Sequence, residues 1–258
     1  MADKLVLDLE TKKSFDEVGG QHNRKELGVS LCGVYSYNRN EYKAFREEEF
    51  KEMAKWLKEA SLIIGFNSKS FDFEVLQPYY KFNLFKLPHL DILEEIYHAL
   101  GHRLKLESVA QATLGEGKSG SGLDALWYFK NNDWEKLGKY CLDDVRVTRE
   151  VYEYGMRHGH LWYENFGKRE TIPIRWKNGQ TIKEILDEAY RNGEQIEIEY
   201  LRHNNGERGL RKIDIKSINA NQIQAYCYNT KIMQVFNIDK IFNIITIGKQ
   251  ENWQTKLF

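Results

Sequence analysis

The amino-acid sequence predicts an α/β domain, with a mixed five-stranded sheet flanked by helices, followed by a small β-barrel domain. Two observations lead to this prediction. Strand and helix patterns alternate through the first half of the chain, which is typical of a sheet covered by helices. From about residue 181, one helix pattern precedes five short strand patterns spaced roughly ten residues apart, with Asn and Gly in the turns. The predicted domains are 1–165 and 181–258, with the end of a hairpin and a linker over 166–180.

The first half opens with three strand patterns. A short apolar strand is predicted over 5–11, and a hairpin follows over 28–37 and 41–48, joined by the turn-forming Asn38-Arg39-Asn40. An amphipathic helix over 47–60 then leads to another buried strand, over 62–67.

Helix patterns dominate after that strand. The predicted helices cover 71–80, 92–100, 106–114, 125–130 and 134–157. Asp91 stands three residues before Glu94, which fits a helix capping box. A hairpin over 161–176 is expected to close the domain, and His158 and His160 are expected at a solvated helix end. The second domain is predicted to have one helix and five strands, over 181–192, 195–201, 210–218, 222–229, 233–238 and 242–248.

Composition excludes several classes of protein. The chain has 258 residues, 41% of them hydrophobic and 29% charged, as expected for a globular protein. It has no apolar run of the roughly 20 residues that span a bilayer, and its N-terminus lacks the pattern of a signal peptide. Cys32, Cys141 and Cys227 have no CxxC spacing and are expected to be reduced, mostly buried thiols in the cytoplasm.

Two acidic residues share one face of the first strand. Asp8 and Glu10 are two residues apart, so their side chains point to the same side of a strand. An ionised carboxylate on a buried strand is unfavourable unless another charge compensates it. We therefore expect a cation between these two groups.

Two further acids fit the same chemistry. Asp72 follows the strand over 62–67 through a short loop, and Asp144 lies on the long helix. Hydrolysis of a phosphodiester by two divalent metals requires several carboxylates from different elements. Tyr140 and Asp144 are i and i+4 on that helix, so a phenol lies beside the carboxylate and is suited to orient an attacking water.

These residues resemble a known superfamily. DxE on the first strand, NxxxFD after a middle strand and YxxxD on a late helix match the three motifs of the DEDD exonucleases, tyrosine-type, whose fold is ribonuclease H-like. The resemblance covers residues 4–165, and the segment 107–155 is similar to the predicted exonuclease branch called ribonuclease H-like.

The resemblance implies roles for individual residues. Two Mg²⁺ or Mn²⁺ ions would be held by Asp8, Glu10, Asp72 and Asp144, and Tyr140 would position the nucleophilic water. Leu9 and Thr11 would touch the terminal nucleotide, and Asn67 and Phe71 would line its pocket. Asp143 adjoins Asp144 but lies three residues from Tyr140, so we expect it to be a solvated helix acid. Lys118, in a Gly/Ser-rich loop, either contacts a backbone phosphate or belongs to an ordinary connection.

Residues 181–247 resemble the core of a WYL domain, an SH3- or Sm-like barrel, although the WYL tripeptide is missing. Gln234 and Lys240 stand where that family usually has arginines. A phosphate-binding edge is expected from four basic residues, Arg202, Arg208, Arg211 and Lys212. The alternative is a structural or dimerisation barrel.

The function predicted from these features is 3′→5′ exonuclease activity on single-stranded nucleic acid, with DNA favoured over RNA and no membrane partner. The barrel would help to bind nucleic acid. Residues 1–165 carry a net charge of −4 and residues 166–258 a net charge of +4, so two bound Mg²⁺ would neutralise the first part and leave the metal-loaded protein mildly basic. The alternatives are a nucleic-acid-binding regulator with an inactive domain and a module of a repair or defence complex. The sequence makes no prediction of oligomeric state.

Overall fold

The computed structural model describes two compact units. The residues described are 3–116, 122–174, 176, 182–201 and 208–249. The first unit comprises Met1–Gln111 and Gly117–Tyr152, and the second comprises Ala112–Glu116 and Glu153–Phe258. The predicted first domain, 1–165, therefore extends past the point where the two units divide.

A five-stranded mixed sheet forms the centre of the first unit. Its strands are β1 (Asp3–Thr11), β2 (Val29–Ser36), β3 (Glu41–Phe45), β4 (Ala60–Gly65) and β5 (His89–Asp91). The strand order is β3-β2-β1-β4-β5, in which β1 pairs antiparallel with β2 and parallel with β4. This arrangement confirms the mixed five-stranded sheet and the hairpin between β2 and β3.

Six helices were predicted before the closing hairpin, and the structure has them. They are α1 (Phe50–Glu59), α2 (Asp72–Leu76), α3 (Ile92–Leu100), α4 (Leu106–Leu114), α5 (Gly122–Lys130) and α6 (Trp134–His158). Alternation along β1 assigns the two faces of the sheet. Leu5, Leu7 and Leu9 join the large core with residues of α1 and α2, which leaves Asp8 and Glu10 on the opposite face.

The second unit contains two antiparallel sheets and a helix. The hairpin is formed by β6 (His160–Asn165) and β7 (Lys168–Pro173), as predicted. Helix α7 (Ile182–Asn192) packs its buried Ile182, Leu186 and Ala189 on the second sheet. That sheet consists of β8 (Glu194–Leu201), β9 (Arg208–Ile218), β10 (Gln222–Cys227), β11 (Ile232–Asn237) and β12 (Ile241–Lys249). Its order is β11-β10-β9-β8-β12, so within the described part of the chain the two edge strands do not pair and the barrel is not closed.

Two of the composition-based expectations have structural outcomes. Cys32, Cys141 and Cys227 are free and buried, as predicted. Among the helices of the described residues, none is both long enough and apolar enough to cross a membrane.

The expectation of a solvated end for α6 is wrong. The Nε2 atoms of His158 and His160 are both buried. The His158 ring stacks on Tyr154, with ring centroids 4.0 Å apart. Burial lowers the pKa of His158 to about 3, and the neighbouring His160 adds to this effect. A protonated histidine is normally favoured at a helix C-terminus, but here desolvation outweighs the helix dipole.

His158 makes the stability of the second unit depend on pH. In the unfolded chain His158 is protonated near pH 6.5, whereas in the folded protein it is protonated only near pH 3. Between these values the unfolded state binds more protons, so stability should fall as the pH falls. We expect Tm to decrease from about pH 7 to about pH 5 in the wild type and to decrease less in His158→Phe, which keeps a ring against Tyr154. The exposed His98 supplies the control, because His98→Gln should retain the wild-type dependence.

Candidate functional site

Asp8 and Glu10 lie on the face of β1 that α6 covers. A carboxylate oxygen of each and the Sγ atom of Cys141, on α6, all lie within 4.8 Å of one another. Glu10 is buried and Asp8 is half-buried. The Cys141 thiol donates to the Asp8 carbonyl oxygen over 3.7 Å, which ties the helix to the strand at this point.

The close approach of α6 depends on Gly33. This residue lies opposite Asp8 in the β1–β2 ladder. A Cβ atom at Gly33 would stand 2.9 Å from Val145 Cγ2 and 3.0 Å from Cys141 Sγ. The absence of a side chain therefore allows the helix to reach the two carboxylates. The buried stripe of α6 consists of Leu137, Cys141, Val145, Thr148 and Tyr152.

Asp72 is the first residue of α2 and is only 3% exposed. Its Oδ1 accepts a hydrogen bond of 3.1 Å from the backbone N–H of Leu9, so it lies against the strand that carries the other two acids. Burial is the main reason why the pKa of Asp72 is raised to about 7, and the negative charges of Asp91 and Asp144 contribute to this increase. The N–H groups of Asp72 itself and Leu9 act in the opposite direction but do not outweigh burial.

Asp91 fixes the loop that leads to Asp72. Its carboxylate accepts from the N–H groups of Asn67 at 2.8 Å and Lys69 at 2.9 Å. It also accepts from Leu93 and Glu94 at the start of α3, as the predicted N-cap. Sequence reasoning recognised the cap and missed the loop contacts. The capping box carried no signal for them, because they depend on the pairing of β4 with β5.

Asp144 and its neighbour Asp143 occupy different environments. Asp144 is 3% exposed and close enough to Asp72 to affect its pKa. Asp143 has a side chain 27% exposed and accepts a hydrogen bond of 2.9 Å from Arg146 Nε on the same helix. This difference supports Asp144 as the residue that joins the other acids.

The other residues of the first unit that were predicted to belong to the site differ in their exposure to solvent. Tyr140 is 7% exposed and packs with Leu31 and Cys141. Leu9 is 4% exposed and its side chain belongs to the large core, so it reaches the acids through its backbone N–H. Thr11 is half-buried and donates its hydroxyl to the Lys13 carbonyl oxygen.

Asn67 and Phe71 flank the same loop. Asn67 adopts a left-handed backbone with φ of +66°, and its side-chain oxygen accepts from Ser70 and Arg103. Phe71 is half-buried and meets Phe15 edge to face, with ring centroids 6.1 Å apart. Lys118 lies outside the described residues.

The predicted basic edge is interleaved with acids. Arg208 lies over the Phe242 ring at 3.9 Å and faces Glu116 and Glu199, each at 3.9 Å. Lys212 pairs opposite Glu197 in the β8–β9 ladder. Arg211 lies on β9 and donates to the Leu210 carbonyl oxygen. Arg202 is outside the described residues. These neighbours reduce the positive potential that a phosphate would meet.

The donors that converge in the first unit suit a hard divalent cation. Carboxylate oxygens are the preferred ligands of Mg²⁺ and also suit Mn²⁺. Burial raises the pKa of the Cys141 thiol, and the charges of Glu10 and Asp8 raise it further. In the absence of a cation the sulfur is therefore a protonated thiol, and sulfur is also a softer donor than Mg²⁺ prefers. The fitting donors are the acids, with Cys141 packing behind them.

A side chain at Gly33 should disturb the packing of α6 against β1 and β2. We expect Gly33→Ala to lower the free energy of unfolding by about 1–3 kcal/mol, because the added methyl group overpacks a buried helix–sheet contact. Gly138 supplies a matched control on α6, since nothing lies within 4 Å of a Cβ atom there. Gly138→Ala should stabilise the helix by about 0.5–1 kcal/mol. Urea unfolding of both variants checks this, and equal stability of the two would contradict the role assigned to Gly33.

Several solved structures are similar to this chain. The family B DNA polymerase of the hyperthermophilic archaeon Pyrobaculum calidifontis matches 60% of the chain at 18% identity, with a TM-score of 0.45. An E. coli exonuclease I complex with single-stranded DNA matches 96% at 11% identity, with a TM-score of 0.36. Proteasome accessory factor B/C of Arthrobacter aurescens matches 60% at 18% identity, with a TM-score of 0.26. The chain covers 25%, 65% and 22% of these proteins, respectively.

Comparison with curated proteins finds no match in sequence. The family model of the RNase H superfamily matches residues 6–155, which include Asp8, Glu10, Asp72, Tyr140 and Asp144. The match covers more than half of the chain and includes residues of every strand of the first sheet, whose mixed strand order is that of a ribonuclease H-like fold. The chain therefore belongs to the RNase H superfamily.

Proposed function

We propose that this protein is a metal-dependent 3′→5′ exonuclease that acts on single-stranded nucleic acid, with DNA favoured over RNA. Two Mg²⁺ or Mn²⁺ ions would be held by Asp8, Glu10, Asp72 and Asp144. The observation that carries the proposal is the convergence of buried acids from three separate elements. Asp72 is hydrogen-bonded to the strand between Asp8 and Glu10, and Asp144 lies near enough to raise the pKa of Asp72.

Electrostatics supports a cation at this position. A carboxyl whose pKa rises to about 7 is strongly disfavoured as an anion, both by burial and by neighbouring negative charge. Such a cluster is unfavourable as a purely structural feature, since each ionised group loses hydration and repels the others. Divalent cations reverse this balance, because they become the largest local charges and favour the ionised form of every acid.

Each residue then has a distinct task. Divalent cations bound by the acids would supply positive charge that polarises a phosphodiester and favours attack by hydroxide. Asp8 and Glu10 form one wall of the site, Asp72 a second and Asp144 a third. The N–H of Leu9 donates to one carboxylate oxygen of Asp72 and so fixes the orientation of this carboxylate against β1. Tyr140, one helical turn before Asp144, would orient the attacking water through a hydrogen bond to its phenol oxygen.

The substrate would enter as a strand end. Phe71 and Phe15 form an aromatic pair beside the loop that carries Asp72, and base stacking on such rings is tolerant of sequence. The 3′→5′ direction follows from the family resemblance, and an assay must decide both this direction and the proposed preference for DNA. The second unit would add nucleic-acid contacts outside the acidic site.

The direct test uses oligonucleotides labelled at the 3′ or the 5′ end. Purified protein is incubated with single-stranded DNA or RNA in Mg²⁺, Mn²⁺ or EDTA. We expect loss of the 3′ label first, metal dependence, and a ladder of products that shorten from the 3′ end. Release of internal fragments would indicate an endonuclease, and cleavage in EDTA would contradict the metal-dependent reaction.

Removal of any one acid should abolish hydrolysis. Asp8→Ala, Glu10→Ala, Asp72→Ala and Asp144→Ala each delete a proposed ligand, so a cation is lost or displaced. Mn²⁺ should raise Tm in the wild type, because it binds only the folded state, and should raise it much less in the variants. Full activity in two of these four variants would be incompatible with a shared metal site.

The neighbouring pair on α6 provides a matched comparison. Asp143→Asn changes a half-exposed acid that binds Arg146, so its activity should stay near that of the wild type. Asp144→Asn should be inactive. Tyr140→Phe should reduce kcat by about 10²–10⁴-fold with little change in substrate binding, because the ring is kept and only the hydroxyl is lost. An inactive Asp143→Asn with an active Asp144→Asn would show that Asp143, and not Asp144, is the acid of this helix that the reaction requires.

A further inference from the structure

The tip of the β6–β7 hairpin has an unusual residue. The two strands pair in register from His160 opposite Pro173 to Asn165 opposite Lys168, which leaves only Phe166 and Gly167 in the turn. Both turn residues have positive φ, +47° and +76°. Positive φ at both central positions is the type I′ arrangement, which matches the twist of a two-residue hairpin.

The backbone preference of phenylalanine does not explain why this residue occupies the turn. The first position of a type I′ turn favours Asn, Asp or Gly, because a left-handed backbone brings Cβ close to the neighbouring carbonyl oxygen. A bulky residue with positive φ is an outlier at such a position. Gly167, the second turn residue, has the expected identity. Phe166 is therefore the one residue that opposes the geometry of its own turn.

Packing does not explain Phe166 either. Its side chain is fully exposed, so it gains no burial energy in return for the strained backbone. The rest of the hairpin is well anchored within the second unit. Leu161 and Ile172 are buried, and Arg169 Nη1 donates to Asp239 Oδ2 over 2.8 Å. The hairpin thus exposes a single aromatic ring at its tip, while its strands are packed within the second unit.

We propose that Phe166 is a base-stacking contact for single-stranded nucleic acid. This inference rests on the proposed function and adds a binding residue outside the acidic site. The ring would stack on one unpaired base, and the exposed Lys168 beside it would lie near the adjoining phosphate. Residues with a strained backbone that no packing contact compensates are concentrated at sites that bind ligands.

The surroundings of Phe166 favour nucleic acid over a protein or a lipid surface. A stable protein interface buries roughly 800 Å² on each partner, whereas one aromatic side chain offers only about 150–250 Å². The exposed neighbours of Phe166 along the hairpin include the charged Glu164 and Lys168 and no other apolar side chain. One ring is sufficient to stack on one base, and the effect of such a contact does not depend on the base identity.

The test separates stability from binding. Phe166→Asn installs the residue that the turn prefers, so Tm should stay the same or rise, while affinity for single-stranded nucleic acid should fall by about 5- to 150-fold. Phe166→Trp retains an aromatic ring and should keep wild-type affinity. Binding is measured by fluorescence anisotropy with oligothymidylate and oligouridylate in EDTA, which prevents cleavage. A strand that contains 2-aminopurine should be quenched by the wild type and much less by Phe166→Asn.

Each other outcome overturns the inference. Equal affinity of wild type and Phe166→Asn means that the ring does not contact the strand, and so does an absence of binding by the wild type. Sedimentation with vesicles of phosphatidylcholine and phosphatidylserine that depends on Phe166, together with unchanged nucleic-acid affinity, would assign the ring to a membrane surface. Self-association that is lost in Phe166→Asn would assign it to a second copy of the chain. Hydrolysis is measured in parallel, so Phe166-dependent binding without hydrolysis would refute the nuclease proposal alone.

Discussion

Mutual repulsion and desolvation among the buried carboxylates act on every element of the first unit. Asp72 and Asp144 are each 3% exposed, and their proximity contributes to the pKa of about 7 at Asp72. Hydrophobic burial alone would drive these groups apart or toward solvent. They stay together because separate parts of the backbone hold each one, and the cation that we propose for this site would neutralise the cluster. A site of this kind uses some of the stability of the core for the geometry of its ligands.

The sheet provides the backbone that holds these acids. Parallel pairing of β1 with β4 brings the loop after β4 to the part of β1 that carries Asp8 and Glu10. Asp91, at the end of β5, fixes that loop through the N–H groups of Asn67 and Lys69, and Leu9 then holds Asp72. On the opposite side of the ladder, the missing side chain at Gly33 admits α6 with Asp144. The arrangement of the acids therefore depends on contacts made by Asp91, by the Leu9 N–H and by Gly33, none of which is a proposed ligand.

Local pattern predicted most elements, and contacts between distant segments account for what it missed. The alternation of Leu5, Leu7 and Leu9 with Asp8 and Glu10 was sufficient to predict the strand and its two faces. The short apolar strands of the second sheet followed from the same kind of pattern. In contrast, nothing near His158 in the sequence indicates that the distant Ile241 would form a backbone hydrogen bond with it or that the ring would be buried. The hydrogen bonds from the loop to Asp91 and the close approach of α6 at Gly33 can likewise be recognised only when the register between the strands and the distance of the helix from the sheet are known.

The described basic residues of the second sheet are poorly placed to bind a polyanion by charge alone. Arg208 faces Glu116 and Glu199, and Lys212 lies opposite Glu197. Binding by phosphate contacts releases counterions and weakens steeply as salt rises, whereas stacking on an aromatic ring has no such requirement. If the second unit contributes mainly through Phe166, its share of the affinity should persist at salt concentrations that remove charge-based contacts. A steep salt dependence that is lost on changing Lys212 would instead favour the basic edge. The two physical origins are thus separable by measuring affinity against salt for variants at these two positions.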